Sequence, residues 1–328
     1  MSTPTHRQRL ETCLSGQIPD RTPVALWRHF PVDDQTPAGL AAATLNFQHN
    51  FDFDLVKVTP SSSFCLRDWG IGDEWRGADE GTRDYTRRVI HEPEDWTRLR
   101  VLPPTQGALG DQLECLRYIV AELGPETPVI QTIFSPLSQA KNLVGPEKLF
   151  EHLRQSPEAL HAGLKTITES VIRFTEAALE IGIAGVFYAV QHAQYGLLSE
   201  AEYQIFGKVY DLQCLEPAQT GWLNMLHLHG QAVMFDQVSD LPIQILNWHD
   251  RETPPSLAQA KDRFHGVLCG GLQRIESMVL GTPEAVTAEA REAIAATEGR
   301  RFILGTGCVS PITTPYGNLM AARKAVEF

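Results

Sequence analysis

Residues 128–136 (PVIQTIFSP) and 184–191 (AGVFYAVQ) decide the fold. Each is a short run of apolar and β-branched residues with polar residues at its end, and between them lie two segments with helical punctuation, 146–155 and 157–181. Runs this short read as strands, and strand–helix–strand alternation sets neighbouring strands parallel. The same unit recurs in both directions. Upstream, residues 23–30 (PVALWRHF) and 54–61 (DLVKVTPS) read as strands; downstream, 222–230 (WLNMLHLHG), 241–250 (LPIQILNWHD), 265–273 (HGVLCGGLQ) and 301–308 (RFILGTGC) do so. Eight such runs are the number that closes a (β/α)8 TIM barrel, an α/β fold that 328 residues fill as one domain over 1–328.

Further helices are expected at 199–216, 256–263, 282–297 and 317–326. Ser156-Pro157 and Thr282-Pro283, each with an acidic residue close behind, place proline in a first helical turn. Residues 61–110 break the rhythm. Rich in Gly, Asp, Arg and Trp and too long for a plain loop, they read as an insertion after strand two that forms a lid or a small hairpin.

Apolar residues at 43% and charged residues at 21% are globular proportions. No stretch reaches the length of a membrane span, and the N-terminus MSTPTHRQRLETCLSG lacks the apolar core of a signal peptide, so a cytoplasmic protein is expected. Six cysteines without paired spacing argue for reduced thiols. A net charge of −12 argues against nucleic acid or an anionic membrane as partner and leaves a small-molecule substrate.

In a parallel barrel the C-terminal strand ends converge on one mouth, so polar residues there are candidates for chemistry. They include Arg28 and His29, Lys57 and Thr59, Ser135, Gln191 and His192, His227 and His229, Asn247, His249 and Asp250, Cys269 and Gln273, and Cys308. Arg28, Lys57 and His249 are the catalytic candidates; Arg28, Gln191, His192 and Asn247 are candidates for holding substrate, and Trp69 for lining the pocket from the 61–110 stretch. A single histidine or cysteine at a strand end is more often packed or hydrogen-bonded than catalytic. His227 and His229 are sharper, because strand residues two apart share a face and can hold one ligand between them. With Cys308 as a soft third donor they form an N/N/S set that suits zinc and leaves a fourth position open. The same pair could instead hydrogen-bond a substrate. Cys269, in Cys269-Gly270-Gly271, reads most simply as a small buried residue.

Three stretches carry a family resemblance: Asp20-Arg21-Thr22-Pro23-Val24-Ala25 leading to Trp27-Arg28; Val267-Leu268-Cys269-Gly270-Gly271-Leu272; and 302–308 (FILGTGC) followed by Thr314-Pro315 and Asn318. Their order and spacing resemble the uroporphyrinogen decarboxylase superfamily over nearly the whole chain, which implies the same barrel. One branch decarboxylates a tetrapyrrole without a cofactor, using two arginines after strand one and an aspartate near strand two. Here 27–34 (WRHFPVDD) keeps one arginine, and Lys57-Val58-Thr59-Pro60-Ser61 replaces the phenylalanine–aspartate pair. The cationic grip that a tetrapyrrole with many carboxylates demands is therefore reduced.

The other branch, the corrinoid-linked and coenzyme M methyltransferases, implies zinc on a H-x-C pair in strand five and a distal cysteine, with a thiol acceptor and a corrinoid carried by a partner protein. By position, His227 matches the histidine, His229 stands where the first cysteine would be, and Cys308 matches the distal one. Imidazole in place of thiolate leaves the metal more Lewis acidic. Three functions compete at this point: a zinc-assisted methyltransferase on His227, His229 and Cys308; a cofactor-free decarboxylase with Arg28 as carboxylate anchor and Lys57 or a histidine as proton donor; and a binding barrel without chemistry.

Overall fold

The computed structural model describes residues 3–327. Seven parallel strands form one sheet: β1 (Val56–Val58), β4 (Val129–Phe134), β5 (Gly185–Val190), β6 (Met225–Leu228), β7 (Ile245–Trp248), β8 (Val267–Leu272) and β9 (Phe302–Thr306), each hydrogen-bonded to the next. Every residue of these strands is buried, as in a parallel sheet covered on both faces. Helices connect them, among them Pro146–Gln155, Pro157–Glu180 and Pro283–Thr297, all with proline in the first turn. Thr282 caps the last of these through its side chain, which accepts from the Ala285 N–H. None of the helices among the described residues is long and apolar enough to cross a membrane.

Residues 23–30 depart from the expected strand. They form only an isolated parallel bridge, Val24 to Leu304, supported by Ala25 N–H to Leu304 O and Leu304 N–H to Pro23 O at 2.9 and 2.8 Å. The reason is local: Pro23 has no N–H, and the Val24 N–H donates to the Asp54 carboxylate rather than to a neighbouring strand. Asp54 N–H in turn donates to Val24 O. One side chain thus ties this extended segment to the start of β1.

Residues 61–106 carry a 3-10 turn at Arg67–Trp69, a two-stranded antiparallel ribbon of β2 (Gly72–Glu74) and β3 (Asp84–Arg87), and a second 3-10 stretch at Pro93–Arg98. The helix Gly107–Leu123 begins inside the stretch read as 61–110. Helices His6–Leu14, Pro37–Phe51 and Pro136–Val144 are additional to those expected. Two of them open with a capping side chain before proline, Thr36-Pro37 and Ser135-Pro136, the same signal that marks Thr282-Pro283. The expected helix 199–216 is interrupted by a π-helical turn at Gln204–Lys208.

Candidate active site

The register of the sheet brings the candidate residues to one level. His227 pairs with Ala189 on β5 and Asn247 on β7, and Asn247 pairs with Cys269 on β8. His229 and His249 follow the ends of β6 and β7, and Cys308 follows β9. One donor atom from each of His227, His229, His249 and Cys308 can be chosen so that all four lie within 4.8 Å of one another. Gly307 makes this approach possible: a Cβ there would stand 2.6 Å from both the His249 Cα and the Trp248 carbonyl oxygen, so only glycine lets the chain leaving β9 pass β7 closely enough to deliver Cys308.

The hydrogen-bond network fixes how two of the imidazoles present themselves. Asn247 Nδ2 donates to Cys269 O at 2.9 Å and Thr306 O at 3.0 Å, so its Oδ1 is the atom facing His227 Nδ1 at 2.7 Å and must accept. The His227 proton therefore sits on Nδ1, and Nε2, buried without a partner, offers a lone pair to the cluster. His249 repeats the pattern: its Nδ1 lies 3.2 Å from Glu252 Oε2, an acceptor, and its Nε2 is also unpartnered. A carboxamide or carboxylate behind each ring, with the other nitrogen free, is how metal-binding histidines are held. Burial opposes ionisation of the Cys308 thiol, but the three imidazoles crowded round it, His227, His229 and His249, outweigh that and hold its pKa well below the ordinary thiol value. Two directed lone pairs, a third imidazole and an ionisable thiol make a donor set of the kind that holds zinc.

His227, His229 and Cys308 form one wall of a cavity of about 380 Å³. Lys57 projects into it from β1, 6% exposed, with Nζ 4.4 Å from the centroid of the Phe187 ring. Burial brings its pKa down to about 7, only partly opposed by the charge of Cys308. The lining also holds three cations, Arg83, Arg88 and Lys141, and one carboxylate, Glu80, which is paired with Arg274. Arg88, whose Nη1 donates to Asn142 O at 2.5 Å, and Lys141, 3.4 Å from Gln191 Oε1, have no carboxylate within ion-pair distance among the described residues, whereas Arg83 is paired with Asp34 at 2.6 Å. His29 also lines the cavity, and burial first, then the charge of Lys57, lowers its pKa to about 3.

Lys57 gives a stability prediction with a definite sign. Its folded pKa lies below the unfolded value near 10.5, so the unfolded chain binds the extra proton between about pH 7 and 10.5 and the native protein gains stability as pH rises through that window. Lys57→Met should melt several degrees above wild type at pH 7, and the gap should narrow as pH approaches 10.5. A gap that stays constant across thermal melts in this range would mean that the ammonium is charged and compensated in the folded state.

The structure gathers Lys57, Gln191, His227, His229 and Cys308 around the cavity and adds His249 to the cluster behind it. Four expected residues lie elsewhere. Arg28 points away, because side chains alternate along an extended segment and Trp27 and His29 take the inward face. His192 likewise turns from Gln191 and packs edge-on against Phe150, with a ring-centroid separation of 6.4 Å. Asn247 is wholly buried and holds His227 instead of substrate. Trp69 sits in its 3-10 turn and donates from Nε1 to Arg100 O at 2.8 Å. Cys269 is buried as its neighbouring glycines suggested. The cations Arg83, Arg88 and Lys141 escaped the sequence reading, since none lies at a sheet-strand end; only the helix signal Ser135-Pro136 next to β4 pointed toward Lys141.

Comparisons with known proteins agree with this frame. A methylcobamide:CoM methyltransferase, MtbA, of Methanosarcina acetivorans is 22% identical over 347 residues, spanning 100% of this chain and 98% of that protein. A uroporphyrinogen decarboxylase of Rhodococcus opacus is 28% identical over 244 residues, covering 70% of this chain and 65% of its own length. Among solved structures, a methyltransferase from Methanosarcina mazei superposes with a TM-score of 0.87 at 19% identity, covering 99% of this chain and 98% of that one, which speaks for the fold. The family model for uroporphyrinogen decarboxylase (URO-D) matches residues 5–327, and the chain belongs to that family.

Proposed function

We propose that this chain is a methyltransferase that moves a methyl group from a corrinoid, carried by a partner protein, to a small thiol, with a zinc ion that would be held by His227, His229 and Cys308 and a fourth position, beside His249, left to the thiol. The observation that carries this reading is the four-donor cluster with two directed, unpartnered imidazole nitrogens at the wall of the cavity. The full-length relatives named as methyltransferases support it. When bound, such a metal acts as a Lewis acid and lowers the pKa of an incoming thiol. Asn247 keeps His227 in the ligating tautomer, and Glu252 holds the His249 ring beside the cluster. Lys57 Nζ, whose pKa burial brings down to about 7, accepts the thiol proton, and Phe187 and Trp27 keep water from that amine. Arg88 and Lys141 hold an acidic tail on the acceptor.

The extended segment at 23–27 serves, in this reading, as the eighth stave that closes a (β/α)8 barrel within one domain, and the ribbon of β2 and β3 serves as a lid, since Glu80, Thr82, Arg83 and Tyr85 line the cavity from above. The alternative reading, a carboxylate-releasing enzyme, draws on Lys57 and the cationic wall and on the relatives named as decarboxylases. A cavity of about 380 Å³ is at the small end for ligand sites and is tight for a tetrapyrrole.

The test uses methylcobalamin as methyl donor with the zinc-supplied protein, followed by the loss of the methyl–cobalt absorption and by mass spectrometry of the methylated thiol. Demethylation that depends on thiol is expected, with 2-mercaptoethanesulfonate or 3-mercaptopropionate at least tenfold better in kcat/KM than 2-mercaptoethanol. Lys141→Met should raise KM for the acidic thiols about tenfold with a smaller effect on kcat, the mark of lost ground-state binding. No turnover with any thiol, or equal use of neutral and acidic ones, would remove the methyl transfer or the acidic tail, respectively.

A further inference from the structure

A second cavity, of about 230 Å³, lies on the other side of the segment 27–30 and shares no lining residue with the first. It is bounded by Arg28 and Phe30, by Asn46, Phe47 and Phe51 of the helix Pro37–Phe51, and by Thr314, Tyr316 and Leu319 at the start of the helix Tyr316–Lys324. Among the described residues Arg28 is its only charged lining residue. The guanidinium carbon stands 5.3 Å from the centroids of both the Phe30 and the Phe47 ring, which lie 5.9 Å from each other and so flank it on one side, leaving the rest of the group for a partner.

That edge is poorly used. Arg28 makes one long hydrogen bond, Nη1 to Ile312 O at 3.4 Å, its Nε has no partner, and no carboxylate lies within ion-pair distance among the described residues. Burial lowers the Arg28 pKa and the charge of Asp33 offsets this only in part, as expected of a cation short of a counter-charge. Two further features of the same cavity ask for an acceptor. The Thr314 hydroxyl is buried without a hydrogen-bond partner. The helix that begins at the lining residue Tyr316 has no side-chain cap on its first turn. Of the remaining lining, Phe47, Phe51, Tyr316 and Leu319 are apolar or aromatic, and the exposed Asn46 and Asn50 add polar groups at the rim.

We propose that this cavity is a second ligand site, which takes a small organic carboxylate with a planar apolar body. The carboxylate meets the Arg28 fork and the helix start, and the body lies among Phe47, Phe51 and Tyr316. A simple inorganic anion would satisfy the charge and leave the aromatic walls wet; a neutral aromatic would fill the walls and leave Arg28 without its counter-charge. The site is independent of the chemistry at Cys308. It joins the segment leading to His29 with the loop that follows Cys308, so an occupant bridges two elements that also line the first cavity.

Benzoate is the probe, titrated into the full chain at constant ionic strength and read by calorimetry and ligand-observed NMR, with benzamide and sulfate as its neutral and non-aromatic counterparts. Benzoate should bind at least tenfold more tightly than either. Arg28→Gln should weaken benzoate at least tenfold and leave benzamide unchanged. Asn46→Trp, an exposed position on the rim whose change should not disturb folding, should block benzoate even if Arg28→Gln proves unstable. Lys141→Met, in the first cavity, should have no effect. Sulfate binding as tightly as benzoate, benzoate binding unaltered by both rim variants, or benzoate binding lost in Lys141→Met would each overturn the proposal.

Discussion

Cys308→Ser is expected to leave the purified protein with less than about a tenth of the metal that wild type holds, and to lower thiol methylation by roughly three orders of magnitude or more. Wild type, purified without chelator and supplied with zinc, should carry about one ion per chain by elemental analysis. The expectation rests on the cluster itself: Cys308 is the only anionic donor among four, and the fields of three surrounding imidazoles already favour its thiolate. A serine hydroxyl cannot supply that charge near neutral pH. His227→Ala should act nearly as strongly, since it removes a lone pair whose direction is set by the Asn247 network. Asn247→Leu leaves all four donors in place and should still cost about 10–100-fold in metal affinity, because the tautomer of His227 is then no longer fixed. Wild-type protein that holds far less than one metal per chain under these conditions would sink the mechanism and move the decarboxylase-like reading ahead.

The second large effect lies at the opposite end of the fold. Asp54 accepts from Arg9 Nη1 at 2.7 Å, Arg21 Nη1 at 2.6 Å, the Val24 N–H at 2.8 Å and His6 Nδ1 at 3.0 Å, and its side chain is wholly buried. Asp54→Ala would leave the Arg9 and Arg21 guanidinium groups short of their shared anion and free the segment 23–27 from β1. The loss should be roughly 3–5 kcal/mol, the usual cost of removing one partner of a buried ionic network. Asp54→Asn, which can keep the bond from Val24, should lose less. Burial favours the protonated acid, but hydrogen bonds from His6 and Arg21, the charge of Arg21 and the Val24 N–H outweigh it and bring the Asp54 pKa down to about 2. A carboxylate with a depressed folded pKa adds stability that is complete above its unfolded pKa and is lost as pH falls through the folded one. The stability gap between wild type and Asp54→Asn should thus be full at pH 5 and shrink by about 2 kcal/mol on descending from pH 4 to pH 2, measured by urea unfolding. A gap independent of pH would assign the role of Asp54 to shape rather than charge.

Much of this molecule is written locally. Apolar, β-branched runs such as 129–134 and 185–190, followed by proline-initiated helices, suffice to specify parallel strands, because the crossover connection leaves no other pairing. The spacing of His227 and His229 places both on one side of β6, and Gly305-Thr306-Gly307-Cys308 marks a chain that must pass close to a neighbour.

Other features required the packed structure. Alternation along 27–30 has a fixed period but no fixed phase, so the sequence could not say whether Arg28 or His29 faces the mouth; the burial of Trp27 beside Phe187 decided it, and sent Arg28 to a cavity of its own. Asn247 looked like a substrate contact and is a support for His227, a role set by carbonyls 22 and 59 residues away. Arg88 and Lys141 reach one cavity wall from elements 53 residues apart. Sequence period follows from backbone geometry one residue at a time, whereas phase, partner and charge balance depend on which distant surfaces exclude water together, and only the folded chain brings those surfaces into contact.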